Sequence, residues 1–264
     1  MKISEIIDTI EAFAPANYQE SWDNTGLQVG DRNAECSGVM ICVDVTPDVV
    51  DEAISRGCNM IVSHHPLLFH GLKTITGATP VEKCVMRAIA AGISIYSSHT
   101  AVDNTPGGVS HVMAQKLNVN VDAVLDPLAS QPGGQVGTGV VGNLTEPLTP
   151  SQLIDRVKKA FGSPIARCTN PELAPENITR IAMCGGSGGS LINAAIDAGA
   201  QAYITSDTRY HDFVDHRNSI LIIDIGHFES EQCTKDIFYR IISQKFANFA
   251  VYNSQSESNS ILYL

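Results

Sequence analysis

Basic residues are scarce in this sequence. Against 28 Asp and Glu there are 17 Lys and Arg, a formal charge of −11, and no basic cluster exceeds the Lys158-Lys159 pair. Long nucleic acids need a basic surface to displace counterions, so they are excluded as partners. Apolar runs are also short, and none approaches the roughly 20 residues that cross a bilayer. The seven cysteines are odd in number and include no C-x-x-C pair, which disfavours a disulfide framework and suits buried thiols in a reducing cytoplasm. The opening MKISEIIDTIEAFAP places Ile3, Ile6, Ile7, Ile10 and Phe13 at helical spacing with acids between them, unlike a signal or transit peptide. What remains is a chain of 264 residues, 44% hydrophobic, long enough for one large or two modest α/β domains in the cytoplasm. An acidic protein of this kind can still bind a small anion where a metal supplies local positive charge.

The chain repeats itself. VMICVDVTPDVVDEAISRGCNMIVSHH, 39–65, lies on IAMCGGSGGSLINAAIDAGAQAYITSD, 181–207, without a gap. Each copy reads as strand, helix with a C-terminal Gly, and strand, a βαβ unit. The first copy closes on His64-His65 and the second on Ser206-Asp207. A second match follows at another offset, because His99 and Asp103 after one apolar strand correspond to His227 and Glu231 after another, both shifted by 128.

In open parallel sheets the strand carboxyl ends share one edge, where loops build the ligand site. His64, His65, His99 and His227 all fall at such ends, and ligands converging between two similar halves suit a two-metal centre. Of the pair His99 and Asp103, the acid is preferred as ligand, with His99 orienting it or acting on substrate. Asp207 closes the second copy and is a candidate to support the ligands from behind, and His211, just beyond it, is a candidate to lend a proton to a leaving group. For His211 the alternative is a surface helix residue. The Gly-rich CGGSGGS, 184–190, lies where backbone N–H groups can favour phosphate, but it lacks the Lys of a P-loop, and close packing explains it equally well. WDNTGLQVGD, 22–31, holds the only Trp and has no chemistry assignable from its residues.

The expected fold class is α/β: two α/β domains built from related βαβ repeats, with the di-metal site at strand C-terminal ends between them. Helices are expected near 80–91, 106–118, 151–161 and 228–244. The Pro/Gly-rich DPLASQPGGQVGTG, 126–139, breaks the pattern. The predicted division is a metal-binding domain of 1–126 plus 217–264 and an inserted domain of 127–216.

WDNTGLQVGD, VSHHPLLF, SSHTAVDNTPGGVS, YITSDTRYHD and GHFESE occur in the order that marks the GTP cyclohydrolase I type 2 homologs, the Nif-three-like dinuclear metal-centre proteins, which the chain resembles over nearly its whole length. The resemblance implies two α/β domains, a ring-shaped homohexamer and two divalent ions per subunit. It names His64, His65, Asp103, His227 and Glu231 as ligands. Ser206 departs from the Gly that many members carry there. Imidazole and carboxylate donors suit Zn, Mn or Fe. The expected function is a metal-dependent hydrolase of a small anionic substrate, with a purine nucleotide and opening of its imidazole ring first. A two-metal phosphohydrolase and a non-catalytic metal store or interaction scaffold are the alternatives.

Overall fold

A computed structural model describes residues 1–131 and 133–264. The chain divides into two compact units, 1–102 with 234–260 and 103–233 with 261–264. In order, the main elements of the first stretch are α1 (Ile3–Phe13), β1 (Gly26–Val29), β2 (Val39–Cys42), α2 (Pro47–Ser55), β3 (Met60–Ser63), α3 (Pro80–Ala91) and β4 (Ser94–Ser97). One helical turn, α4 (Thr100–Asp103), leads to α5 (Val109–Lys116), β5 (Val119–Pro127), β6 (Gly137–Leu148), α6 (Pro150–Phe161) and β7 (Arg167–Cys168). Then come β8 (Ile178–Ser187), α7 (Ile192–Asp197), β9 (Ala202–Ser206), α8 (Tyr210–His216), β10 (Leu221–Asp224) and α9 (His227–Glu231). The chain closes with α10 (Cys233–Lys245) and β11 (Val251–Asn253).

The first sheet has the order β1-β4-β3-β2-β11 and the second β5-β6-β8-β9-β10-β7. The repeat seen in the sequence is a repeat of strand register. Val39 pairs with Met60 in parallel, and at equivalent positions Ile181 pairs with Ala202. In each sheet a third parallel strand, β4 or β10, adds beside the second. In each, that strand is flanked by an antiparallel one, β1 or β7. The central strands β2, β3, β4, β9 and β10 are buried along their whole length, as parallel strands covered on both faces must be.

Three long helices begin at a Thr-Pro dipeptide. Thr46, Thr79 and Thr149 each accept from the backbone N–H three residues on, while the following Pro occupies the first helical position, where no N–H is needed. The first unit's core packs Val49, Val50 and Ala53 of α2 and Cys84, Val85 and Ala88 of α3 on Met40, Ile61 and Ile95. The second packs Ile192 and Ala195 of α7 on Ala182, Tyr203 and Ile222. All seven thiols are unpaired, and burial pushes those of Cys36 and Cys84 up to about 11.

The division differs from the expected boundaries at 126/127 and 216/217. Strand β10 pairs with β9, which places 217–233 in the second unit, and β5 pairs with β6, which places 103–126 there too. The helix expected over 228–244 is two helices parted at Gln232.

Candidate metal centre

In the first unit the donors sit where β3 and β4 end. His64 and His65 follow β3 directly and His99 follows β4 by two residues. Adjacent residues in a strand point oppositely, so two neighbouring histidines converge only where the chain leaves the strand, and here the rings lie with centroids 4.8 Å apart. His99 stands edge-on to both, 5.2 Å from His64 and 5.3 Å from His65. One ring nitrogen of each of the three lies within 4.8 Å of the others. His64 is fully buried and the other two are half-buried.

Every one of these imidazoles has its Nδ1 against an oxygen. His65 Nδ1 lies 2.8 Å from Asp44, His99 Nδ1 lies 2.8 Å from Asp23, and His64 Nδ1 lies 3.2 Å from the Ser98 carbonyl. An acceptor at Nδ1 fixes the tautomer and leaves Nε2 as the nitrogen that could coordinate a metal. Asp23 is the more deeply set acid, its side chain fully buried. Burial alone would raise its pKa, but donation from His99 and Thr100 outweighs that and holds the carboxyl well below the usual carboxylate range.

The second unit presents a different set. His227 opens α9 and Glu231 lies one turn on, so the two stack on one helix face. Their Nε2 and Oε2 atoms are 2.9 Å apart, and His227 Nδ1 lies 2.7 Å from Asp207. Asp207 reaches it by leaving β9 in the left-handed region at φ 54°, a conformation that Asp tolerates better than most residues. Gly186 is also left-handed, and a Cβ there would fall inside the Glu231 carboxylate, so only glycine leaves room for that side chain. Asp103, ending α4, and Glu231 bring carboxylate oxygens within 4.8 Å of each other.

His211 does not join this set. It is exposed on α8, edge-on to Tyr210 at 5.4 Å. The Gly-rich stretch has the packing role rather than a phosphate cradle, because Gly186 N–H donates to Ser230 and Gly188 N–H to Thr205. Beside His227 opens a cavity of about 280 Å³, lined by Arg167, Asp207, Ile225 and Tyr263 among others. Asp23 and Asp44 were invisible as functional residues in the sequence, since they lie 76 and 21 residues from the histidines they hold.

A family model described as Duf34/NIF3 (NGG1p interacting factor 3) matches residues 1–260. This chain belongs to the Duf34/NIF3 family. The GTP cyclohydrolase 1 type 2 homolog of Lactococcus lactis is 36% identical, covering 98% of each chain. That of Clostridium acetobutylicum is 35% identical over 88% of this chain and 85% of its own. Among solved structures, a Staphylococcus aureus hypothetical protein superposes with a TM-score of 0.89 at 26% identity, covering 100% of this chain and 99% of that one. A Bacillus cereus protein related to NIF3 gives 0.88 at 25% identity with the same coverage. The Duf34/NIF3 fold therefore accounts for both sheets. Among the described residues no helix is long and apolar enough to cross a membrane.

Proposed function

We propose that this Duf34/NIF3 chain is a dinuclear divalent-metal protein and a hydrolase of a small anionic substrate. The observation that carries the metal reading is that all four strand-end histidines, His64, His65, His99 and His227, have Nδ1 against an oxygen acceptor. Surface histidines have no need of such uniform orientation, whereas ligand histidines almost always have it. His64, His65, Asp103, His227 and Glu231 are the proposed ligands of the two ions, and their nitrogen and oxygen donors suit Zn, Mn or Fe. Such a pair, when bound, supplies Lewis-acid activation of water near neutral pH.

The residues divide the remaining work. Asp44 and Asp207 hold two ligand imidazoles in one tautomer. His99, backed by Asp23, is proposed to act on substrate, its Nε2 giving or taking a proton at the reacting group. The cavity beside His227 supports an enzyme over a store, since a reaction needs room beside the ions. The relatives' name makes a purine nucleotide the first substrate to test. Hydrolysis at C8 would open the imidazole ring and release that carbon as formate, with water as the only co-reactant. We place the protein in the cytoplasm on its thiols, none of them in a disulfide, and in a ring-shaped homohexamer on its resemblance to the family.

The test is elemental analysis followed by a screen of metal-loaded protein against nucleotides, phosphate esters and cyclic amides. About two ions per chain are expected, with formate released from GTP and lost in Asp103→Ala. Absence of metal after reconstitution overturns the reading. Phosphate release without formate moves the function to a phosphohydrolase, and no turnover by a fully loaded protein moves it to metal storage.

A further inference from the structure

The only tryptophan of the chain, Trp22, is 58% exposed, although tryptophan is among the most buried residues on average. Its ring lies 6.0 Å from that of Phe69, itself 44% exposed. Both meet His99 edge to face, Trp22 at 5.9 Å and 72° and Phe69 at 6.3 Å and 71°. Two large aromatic faces thus stand open beside an imidazole of the candidate centre. Exposure of this kind is costly in water, and rimmed by polar groups it marks a binding surface.

The two rings are held, not loose. Asn24 Nδ2 donates to the Leu68 carbonyl at 2.7 Å, and Leu68 N–H donates to Gln28 Oε1 at 3.2 Å, so the loop carrying Trp22 is fastened to the loop carrying Phe69. The first loop is tied again where Asp23 accepts from His99 and Thr100 N–H, and where Thr25 N–H donates to Gln19. Trp22 is therefore one residue from the acid that aims His99. A rigid aromatic pair loses little freedom when a ligand settles on it.

We propose that Trp22 and Phe69 form a stacking platform for the flat ring of a heteroaromatic substrate, presenting that ring to His99. The proposal rests on the metal-centre reading for the substrate's purpose but not for its binding. The rings' chemistry selects the ligand class. Aromatic faces stack on any planar base, while the imidazoles of His99 and His65, their ring centroids 5.3 Å apart, favour a ring with polar atoms on its rim over a plain hydrocarbon. This assigns a purpose to WDNTGLQVGD: Asp23 positions the histidine, Asn24 joins the loops, and Trp22 meets the substrate.

A single tryptophan makes the test direct, because selective tryptophan excitation reports on this position alone. Guanosine 5′-monophosphate, with ribose 5-phosphate as a ring-free control, would be titrated into the full chain with and without zinc, by fluorescence and by calorimetry, with metal content measured in parallel. The nucleotide is expected to bind and shift Trp22 emission while the sugar phosphate does not. Trp22→Ala should weaken binding about 5- to 150-fold, Phe69→Ala should weaken it in the same direction, and Trp22→Phe, which keeps a ring face, should retain most of it. Circular dichroism confirms that each variant folds. Equal binding of both probes, or no binding of the nucleotide, overturns the platform. So does a change of oligomeric state in Trp22→Ala without loss of nucleotide affinity, which would make the pair a contact between copies. Two ions bound without nucleotide affinity defeats the platform alone; nucleotide affinity without metal uptake defeats the metal centre alone.

Discussion

The two βαβ copies share a strand register and differ in what they place at its end. The first unit offers three imidazoles, His64, His65 and His99, whereas the second offers His227 with the carboxylates Asp103 and Glu231. Equivalent positions show how one became the other. Where the first copy has Asp44, which holds His65, the second has Gly186, which clears the space that Glu231 fills. Where the first has His65, the second has Asp207, which holds His227. The backbone is shared, while the positions of imidazole and holding carboxylate differ along it. The first set is all nitrogen, and the second pairs one nitrogen donor with two carboxylates.

That asymmetry can be broken from either side. The largest effect is expected from removing a ligand: Asp103→Ala, Glu231→Ala or His65→Ala should reduce bound metal from about two ions to one or none, read by elemental analysis, with the fold retained in circular dichroism because each lies at an element end. A variant of this group that keeps both ions would remove that residue from the set. Gly186→Ala comes next. Forcing a side chain into a left-handed position against Glu231 should displace the carboxylate and cost about 1–3 kcal/mol in chemical denaturation, and the metal affinity should fall with it. The corresponding change in the first copy, Asp44→Asn, leaves shape intact and removes the negative charge that faces His65 Nδ1. Together with Asp207→Asn it should weaken metal about 10- to 100-fold without loss of stability, measured by competition with a chromophoric chelator.

The fourth effect lies away from the centre. Glu52 accepts from Ser254 Oγ at 2.7 Å and from the backbone N–H groups of Gln255 and Ser256 at 2.9 and 3.0 Å. Burial opposes its charge, yet these donors hold its pKa down to about 2. A depressed folded pKa means stability present above the unfolded value of about 4.3 and lost as pH falls toward the folded one. Denaturation midpoints should therefore drop between about pH 5 and pH 3 in the wild type, and Glu52→Gln should flatten that slope. The smallest effect is Ser206→Gly, which removes a 2.6 Å hydrogen bond to the Gly186 carbonyl. It should cost about 1 kcal/mol and leave metal binding unchanged.

Much of this was legible beforehand because the repeat preserves spacing. A 21-residue offset between paired strands, Val39 with Met60 and Ile181 with Ala202, appears in the sequence as a gapless match. The strand-end histidines and their acids were visible for the same reason. Features that depend on distant pairing were not. The antiparallel flanks β1 and β7 are four and two residues long, too short for periodicity to reveal. Strand β5 is more exposed than buried, and its pairing with β6 is what fixes it as a strand. The holders Asp23 and Asp44 had ordinary neighbours, and their function exists only through contacts made across the chain.

The interleaving of the two units has a consequence for how the protein is made. Residues 103–233 leave the ribosome complete with β5 to β10, whereas the first unit still lacks α10 and β11 at that moment. Until Val251–Asn253 arrives to pair with β2, the hydrophobic backbone of Val39–Cys42 stands as a bare edge, the kind of surface on which nascent chains join one another. The unit made from the middle of the chain thus has all its strands first, while the unit that begins the chain waits for its last strand.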